Sequence, residues 1–366
     1  MVPKKIMYQA TIAIVLYCSL YIFFLLKPFY QHHRNAFNTF TLSRGAVHLE
    51  HRDDKQVIPK KKPLLTIFTT WISDKKKHIC RNNTVQNWNL LQKNVVRILF
   101  TNESDLNLRV KSMGWKVLPV KKVASVTKVP VLKDLFYSSF KAEDSTFYAY
   151  ANGDILFTDD LIKTLETFLE SNLSNSEDVL LIGRRTDVRN VTLEEATNHV
   201  TLKLAAYNRG SLHTPYGIDF LIIKKSYPLF DFPDLVIGRP YVDSFIVLEA
   251  VNRVPGHVID ITVTSLAVHQ VTLPGKEGVD EGSTHPDKNY NYDLLKSRKP
   301  NYSRGNTNCA HYYTNHTLLN NKIAITIEKR RHLIDKRCVP LIGDILKGAS
   351  VLRGLKMFTN YIHFII

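Results

Sequence analysis

The sequence predicts an α/β fold, a mostly parallel β-sheet with helices on both faces. Three observations predict it. Short runs rich in β-branched and aromatic residues alternate with helical stretches, the pattern of a parallel sheet covered by helices. The strand candidates are almost continuously apolar, as strands buried on both faces must be. The polar interruptions fall at strand ends, where such sheets bind ligands. With 366 residues the chain has room for one large domain or two small ones.

Taken in order, Pro63 opens a strand from Leu64 to Trp71. A helix is predicted over 82–91, a strand over 95–100, a helix from Leu106 to Met113 and, after Gly114, a strand over 115–120. Pro130 opens a helix that runs to Phe140, at a position where its missing N–H does no harm. Phe147 to Ile155 is the central strand. Leu161, Ile162, Leu165, Phe168 and Leu169 then form a helical stripe, with Asp159 and Asp160 as its cap and acidic first turn. Strands follow from Val179 to Gly183 and over 220–223, a helix from Phe245 to Val251, and a strand over 263–270. Further on the pattern fades, with helices predicted over 290–295 and 322–333.

Composition narrows the function. The hydrophobic share of 44% and the charged share of 22% are those of a globular protein. The net charge of +16 raises nucleic acid, an anionic membrane or acidic ligands as partners. The excess sits in short clusters, Lys60-Lys61-Lys62 and Lys75-Lys76-Lys77, without zinc-finger spacing or a long basic helix, so no nucleic-acid partner is expected. From Ile6 to Leu26 the chain is apolar and aromatic, enough to span a bilayer. Lys4 and Lys5 place its start in the cytosol. A cleaved signal peptide would be shorter and end in small residues, whereas this stretch ends Phe23-Phe24-Leu25-Leu26-Lys27. The expectation is a single-pass anchor in the Golgi or ER membrane with the rest of the chain lumenal. Six Asn-X-Ser/Thr sequons, at Asn82, Asn102, Asn172, Asn190, Asn301 and Asn315, agree with that compartment. Outside the apolar stretch there are three cysteines, Cys80, Cys309 and Cys338; one bridge is plausible, and Cys309 with Cys338 would close the shorter loop. The expected organisation is a tail over 1–5, an anchor over 6–27, a stem over 28–62, the folded domain over 63–345, and a C-terminal apolar segment over 346–366.

Five polar sets interrupt the apolar pattern. Asn152-Gly153-Asp154 ends the central strand; a carboxylate there beside a glycine suits a hard divalent cation, and the same dipeptides also suit a hairpin turn. Arg184-Arg185-Thr186-Asp187 follows a strand, where arginines can hold a diphosphate or form a solvated turn with an Asp partner. His213 to Asp219 precedes a buried strand, and an Asp entering it needs partners. Gly238 to Ser244 leads into a helix whose dipole stabilises Asp243. A strand ends at His269, and imidazole is a good ligand for Mn.

These motifs, spaced over roughly residues 63–272, resemble those of GT-A-fold glycosyltransferases. The resemblance implies a GT-A (Rossmann-like) fold, a nucleotide sugar such as a UDP-sugar as donor, Mn or Mg as cofactor, and a glycan, glycoprotein or glycolipid as acceptor. Asp154 and His269 would be the metal ligands, and Asn152 would face the ribose or phosphate in place of the first acid of the usual DxD motif. Thr69, Thr70 and Arg184 would hold the nucleotide. Asp219 would orient the sugar or acceptor, and Asp243 would bind the acceptor hydroxyl and, in an inverting enzyme, remove its proton. Two departures from the pattern are Asn152 itself and the single acid at Asp243, where two are common. They keep a non-catalytic lumenal protein binding sugar nucleotides or glycans as the alternative. An anchored metal-dependent hydrolase would want a denser set of His and Asp ligands.

Overall fold

Leu65 to Thr70 form strand β1 in the middle of the main sheet, with five of its six residues buried. The computed structural model describes residues 62–91, 94–253, 256–271, 286–296, 305–331 and 338, all within a unit that begins at Lys60. After β1 come α1 (His78–Leu90), β2 (Val95–Phe100), α2 (Ser104–Ser112), β3 (Lys116–Leu118), β4 (Val123–Ala124), β5 (Val129–Pro130), α3 (Leu132–Ala142), β6 (Phe147–Ala151), β7 (Ile155–Phe157), α4 (Asp160–Glu170), β8 (Val179–Ile182) and β9 (Arg185–Arg189). The second half adds α5 (Leu193–Ala196), α6 (His199–Arg209), β10 (Ser211–Leu212), β11 (Phe220–Ile223), α7 (Val242–Val251), β12 (His257–Asp260), β13 (Ala267–Val271), α8 (Tyr290–Leu295), β14 (Tyr312–Leu319) and β15 (Lys322–Lys329).

The main sheet has the order β3-β2-β1-β6-β11-β8-β12-β14-β15. Strands β3, β2, β1 and β6 run parallel, as do β8, β12 and β14; β11 lies antiparallel between β6 and β8. The result is a mixed but mostly parallel α/β sheet. One face buries Leu65, Ile67, Trp88, Phe147 and Phe168; the other buries Phe68, Phe100, Phe136, Tyr148 and Phe245. A second sheet of order β10-β9-β13-β7 is built mainly from chain that follows β6, and it carries most of the site.

Several elements differ from the sequence reading. Pro130 sits in β5, and α3 begins two residues later at Leu132. The helix expected over 322–333 is instead β15, the return strand of a hairpin. Its two-residue loop is Asn320-Asn321, with φ of 50° and 60°, the left-handed pair that a type I′ turn requires. The β-branched alternation in Ile323, Ile325 and Ile327 then wins over helix propensity. Asp159 stands at the N-cap of α4 but makes no side-chain cap; its carboxylate pairs with Lys163 and Lys203. Arg185 to Arg189 is a strand rather than a turn.

Cys309 and Cys338 form a disulfide, and Cys80 is buried in α1. Among the sequons, Asn102, Asn172 and Asn190 are exposed and Asn82 and Asn315 half-buried; Asn301 lies outside the described residues. The expected anchor over 6–27, stem residues 28–61 and the apolar segment over 346–366 also lie outside them. Among the described residues no helix is long and apolar enough to cross a membrane.

Candidate active site

The turn after β6 is closed by backbone bonds: Asn152 N–H donates to Asp219 O at 3.0 Å and Ile155 N–H to Asn152 O at 3.1 Å. The side chain of Asn152 is equally engaged. Its Nδ2 donates to Asp219 Oδ1 at 2.7 Å, and its Oδ1 accepts from the Tyr150 hydroxyl at 2.9 Å. An Asp at 152 would set two carboxylates against each other here. The amide supplies the donor that Asp219 needs, which gives a physical reason for Asn at this position. Asp219 Oδ2 accepts from Arg185 Nη1 at 2.8 Å, so both of its oxygens are tied to protein.

Across the second sheet the register aligns four side chains. Asp154 immediately precedes β7. In β13, His269 lies opposite Ile155 on one side and Asp187 of β9 on the other. Asp187 in turn pairs with Ser211 of β10, two residues before His213. The side chains meet accordingly: His269 Nε2 is 3.6 Å from Asp154 Oδ2, His269 Nδ1 is 2.8 Å from Asp187 Oδ1, and His213 Nδ1 is 2.9 Å from Asp187 Oδ2. Arg185 Nε reaches Asp187 Oδ1 at 2.9 Å and links this row to Asp219. The backbone oxygen of Asp154 accepts from Gln270 N–H at 3.1 Å and from Gln270 Nε2 at 3.3 Å. The same amide nitrogen also donates to Cys80 O and Thr84 Oγ1. Gln270 thus fastens the Asp154 turn to α1.

The electrostatics follow from this packing. Burial alone would lower the pKa of His269, but hydrogen bonds to Asp154 and Asp187 outweigh it and raise the value to about 10. Burial pushes the carboxyl of Asp187 up, and His269, Arg185 and His213 overcome it to give about 2. Asp154 is likewise lowered, His269 outweighing burial. Asp243 behaves in the opposite way. It lies in the first turn of α7, after Tyr241 with φ of 72°. Burial pushes its carboxyl up to about 7, with Asp219 adding repulsion, despite the N–H groups of Ser244 and Asp243 and the charge of Arg185. Asp243 is therefore coupled to the row through charge and is poised near neutrality, the range suited to a proton acceptor.

A divalent cation fits these residues only by displacing the proton that His269 shares with Asp154. Asp154 Oδ1 is buried and has no hydrogen-bond partner among the described residues. His269 presents Nε2 to Asp154 while its Nδ1 bonds the Asp187 carboxylate, the orientation by which a second carboxylate fixes a metal-ligating imidazole. Among the described residues no group of three or more His, Cys, Asp or Glu could hold a metal ion. Two protein ligands are what a cation completed by substrate phosphates and water requires.

On the far side of Trp71 from the Asp154 turn lies a cleft of about 160 Å³, open to solvent, between the end of β1, α1 and α2. Its floor is Trp71, Val85 and Val110, and its rim carries Lys75, His78, Arg81 and Arg109. Trp71 joins it to the Asp154 turn: a Cβ on Gly153 would stand 2.6 Å from Trp71 Cε3, so only glycine fits there. The Trp71 Nε1–H is buried without a hydrogen-bond partner among the described residues.

The structure thus brings Asp154, His269, Asn152 and Asp219 together, with Asp243 coupled by charge. Thr69 is buried beneath Gly153 with its hydroxyl unpartnered among the described residues. Thr70 donates to Phe100 O at 2.8 Å and so ties β1 to β2. Arg184 donates through Nε to His213 O at 2.7 Å. The groups facing the site at these two places are instead Trp71 and Arg185. Sequence reasoning also missed Asp187 and His213 as members. The alternation Arg185, Asp187, Arg189 was the available signal, a period of two that puts all three on one strand face.

No family model matches the chain, and no curated protein does. Solved structures are similar at a low level. S. aureus TarS 1–349 in complex with UDP-GlcNAc aligns at 11% identity over 64% of this chain and 65% of that one, with a TM-score of 0.36. Glucosyl-3-phosphoglycerate synthase from Mycobacterium tuberculosis, in complex with Mg2+ and UDP, aligns at 11% identity over 73% and 88%, with a TM-score of 0.35. A CMP:2-keto-3-deoxy-manno-octonic acid synthetase complexed with CTP aligns at 11% identity over 65% and 99%, with a TM-score of 0.32. Likeness at this level assigns no residue here a role.

Proposed function

We propose that the chain is a glycosyltransferase that moves a sugar from a nucleotide-diphosphate sugar, a UDP-sugar in the first instance, to a hydroxyl of a glycan, glycoprotein or glycolipid. One observation carries the reading: the Asp154–His269–Asp187 row, with its unpartnered Asp154 oxygen, stands across Trp71 from a cleft with a cationic rim. A diphosphate at the row and a nucleoside in the cleft use both. Asp154 and His269 would hold Mn or Mg, which neutralises the leaving diphosphate when bound. Asp187 keeps the His269 imidazole oriented. Arg185 and Asn152 hold the Asp219 carboxylate at the sugar side of the site. Asp243, recessed at the start of α7, takes the acceptor proton in an inverting reaction or positions the hydroxyl in a retaining one. The proposed setting is a lumenal domain tethered to a Golgi or ER membrane by residues 6–27.

One observation favours a second reading. His269 is already satisfied by two carboxylates, so the site is electrostatically closed without a cation, as a sugar-nucleotide or glycan-binding protein without transferase activity would be. The discriminating experiment is a screen of UDP- and GDP-sugars with and without Mn on the wild type and Asp154→Ala. Metal-dependent sugar transfer or donor hydrolysis, lost in the variant, supports the transferase. Binding without turnover of any donor supports the second reading.

A further inference from the structure

The row does not end at Asp187. One strand further across the second sheet, His213 occupies the outer position, and several contacts hold it there. Its Nδ1 bonds Asp187 Oδ2 at 2.9 Å. Its backbone N–H donates to Arg185 O at 2.9 Å, and its carbonyl accepts from Arg184 Nε at 2.7 Å. The ring lies over Gly217, where a Cβ would come within 2.8 Å of His213 Cγ and 3.0 Å of His213 Cβ. Gly217 is thus small because the imidazole occupies the place of its side chain.

The chemistry of the free edge follows. An ionised carboxylate only accepts hydrogen bonds, so Nδ1 carries the proton in this pair. In the neutral ring Nε2 then holds a lone pair, and it has no partner among the described residues. The side chain is 34% exposed. Bracing Asp187 needs only Nδ1. It does not account for a ring fixed at backbone and side chain with its acceptor edge open. An acceptor held at fixed orientation beside a sugar-nucleotide site suits a carbohydrate hydroxyl, an O–H donor of defined direction.

We propose that His213 contacts substrate, its Nε2 accepting a hydrogen bond from a carbohydrate hydroxyl of either the donor sugar or the acceptor. The assignment rests on the glycosyltransferase reading above. Its role is binding and alignment, and no bond is made or broken at the ring.

The test uses the full chain and its best nucleotide sugar, in two arms: hydrolysis of the donor without acceptor, and transfer with acceptor. His213→Ala raises a KM about tenfold or more in at least one arm, and His213→Gln, which retains an acceptor oxygen, recovers part of that. A change in both arms identifies a donor hydroxyl, and a change in transfer alone an acceptor hydroxyl. Gly217→Ala, which displaces the ring while leaving Asp187 in place, reproduces the His213→Ala effect. In His213→Ala the Mn concentration for half-maximal rate stays close to wild type, because Arg185 and His269 still hold Asp187. Two results overturn the assignment: kinetic constants within twofold of wild type in both arms, or a shifted Mn dependence, which would make His213 only a brace for Asp187. Asp154→Ala serves as the control for the underlying reading. If the wild type turns over no nucleotide sugar, or Asp154→Ala does so undiminished, the transferase reading itself fails and this assignment fails with it.

Discussion

Replacing Asp243 with Asn removes a carboxyl that burial holds at about 7, against an ordinary value of 3.8. A raised carboxyl pKa means that the folded state keeps its proton where the unfolded state has lost it. The group's favourable contribution is complete below pH 3.8 and is lost as pH rises to about 7, then stays constant. The full difference corresponds to about 4 kcal/mol at about 1.36 kcal/mol per pH unit. Between pH 4.5 and pH 8 the same linkage gives about 3 kcal/mol. Asn does not titrate, so Asp243→Asn gains on the wild type by about that amount over this interval, whatever constant offset the substitution brings. Urea unfolding of both proteins at a series of pH values measures it directly. In transfer assays the same variant is expected to lose about 10²- to 10⁴-fold in rate if Asp243 takes the acceptor proton. A stability difference that is flat with pH would refute the burial argument and leave Asp243 an ordinary helix-start acid.

Four further predictions follow from single contacts. Arg185→Ala strips the cation from Asp187 and Asp219, both largely buried, and is expected to cost about 2–4 kcal/mol by denaturant unfolding. Asn152→Asp turns the 2.7 Å amide donor to Asp219 into a second carboxylate. One of the pair must then stay protonated, so stability falls by about 1–3 kcal/mol as pH rises from 4 towards 7, measured by thermal midpoint. Trp71→Ala removes the cleft floor and is expected to weaken nucleotide binding by about 1–3 kcal/mol in a calorimetric titration, while a metal-only titration changes little. Cys309→Ser opens the cross-link across a sequence separation of 29 and is expected to lower stability by about 3 kcal/mol under oxidising conditions only.

The apolar runs around Leu65, Val95, Phe147, Val179 and Phe220 were legible because a strand buried on both faces leaves little freedom in composition. Asp154 stood out as a carboxylate in the polar turn after such a run and His269 as a polar residue within one, but it is the second sheet, with His269 in the middle of β13 opposite Ile155, that sets them side by side. What escaped was chain whose structure depends on partners. β9 reads as a charged turn, Arg184-Arg185-Thr186-Asp187, because its charges are neutralised by residues 26 to 82 positions away, His213, Asp219 and His269. Pairing at that distance leaves no local trace. β15 was misread although Ile323, Ile325 and Ile327 alternate at a strand's period of two; the Asn320-Asn321 turn that pairs it with β14 was the signal passed over. The same reasoning explains Thr70 and Arg184. Their residue types suit a ligand, but backbone carbonyls of Phe100 and His213 lie closer and engage them first.

The account stands on Asp154 and His269 forming one metal-dependent diphosphate site, and the most direct measurement is calorimetric titration of UDP and GDP into the full chain with and without Mn. The prediction is binding of a nucleoside diphosphate that requires Mn and is abolished by Asp154→Ala and by His269→Ala. Binding of equal strength without the metal, or no nucleotide binding at all, would contradict it.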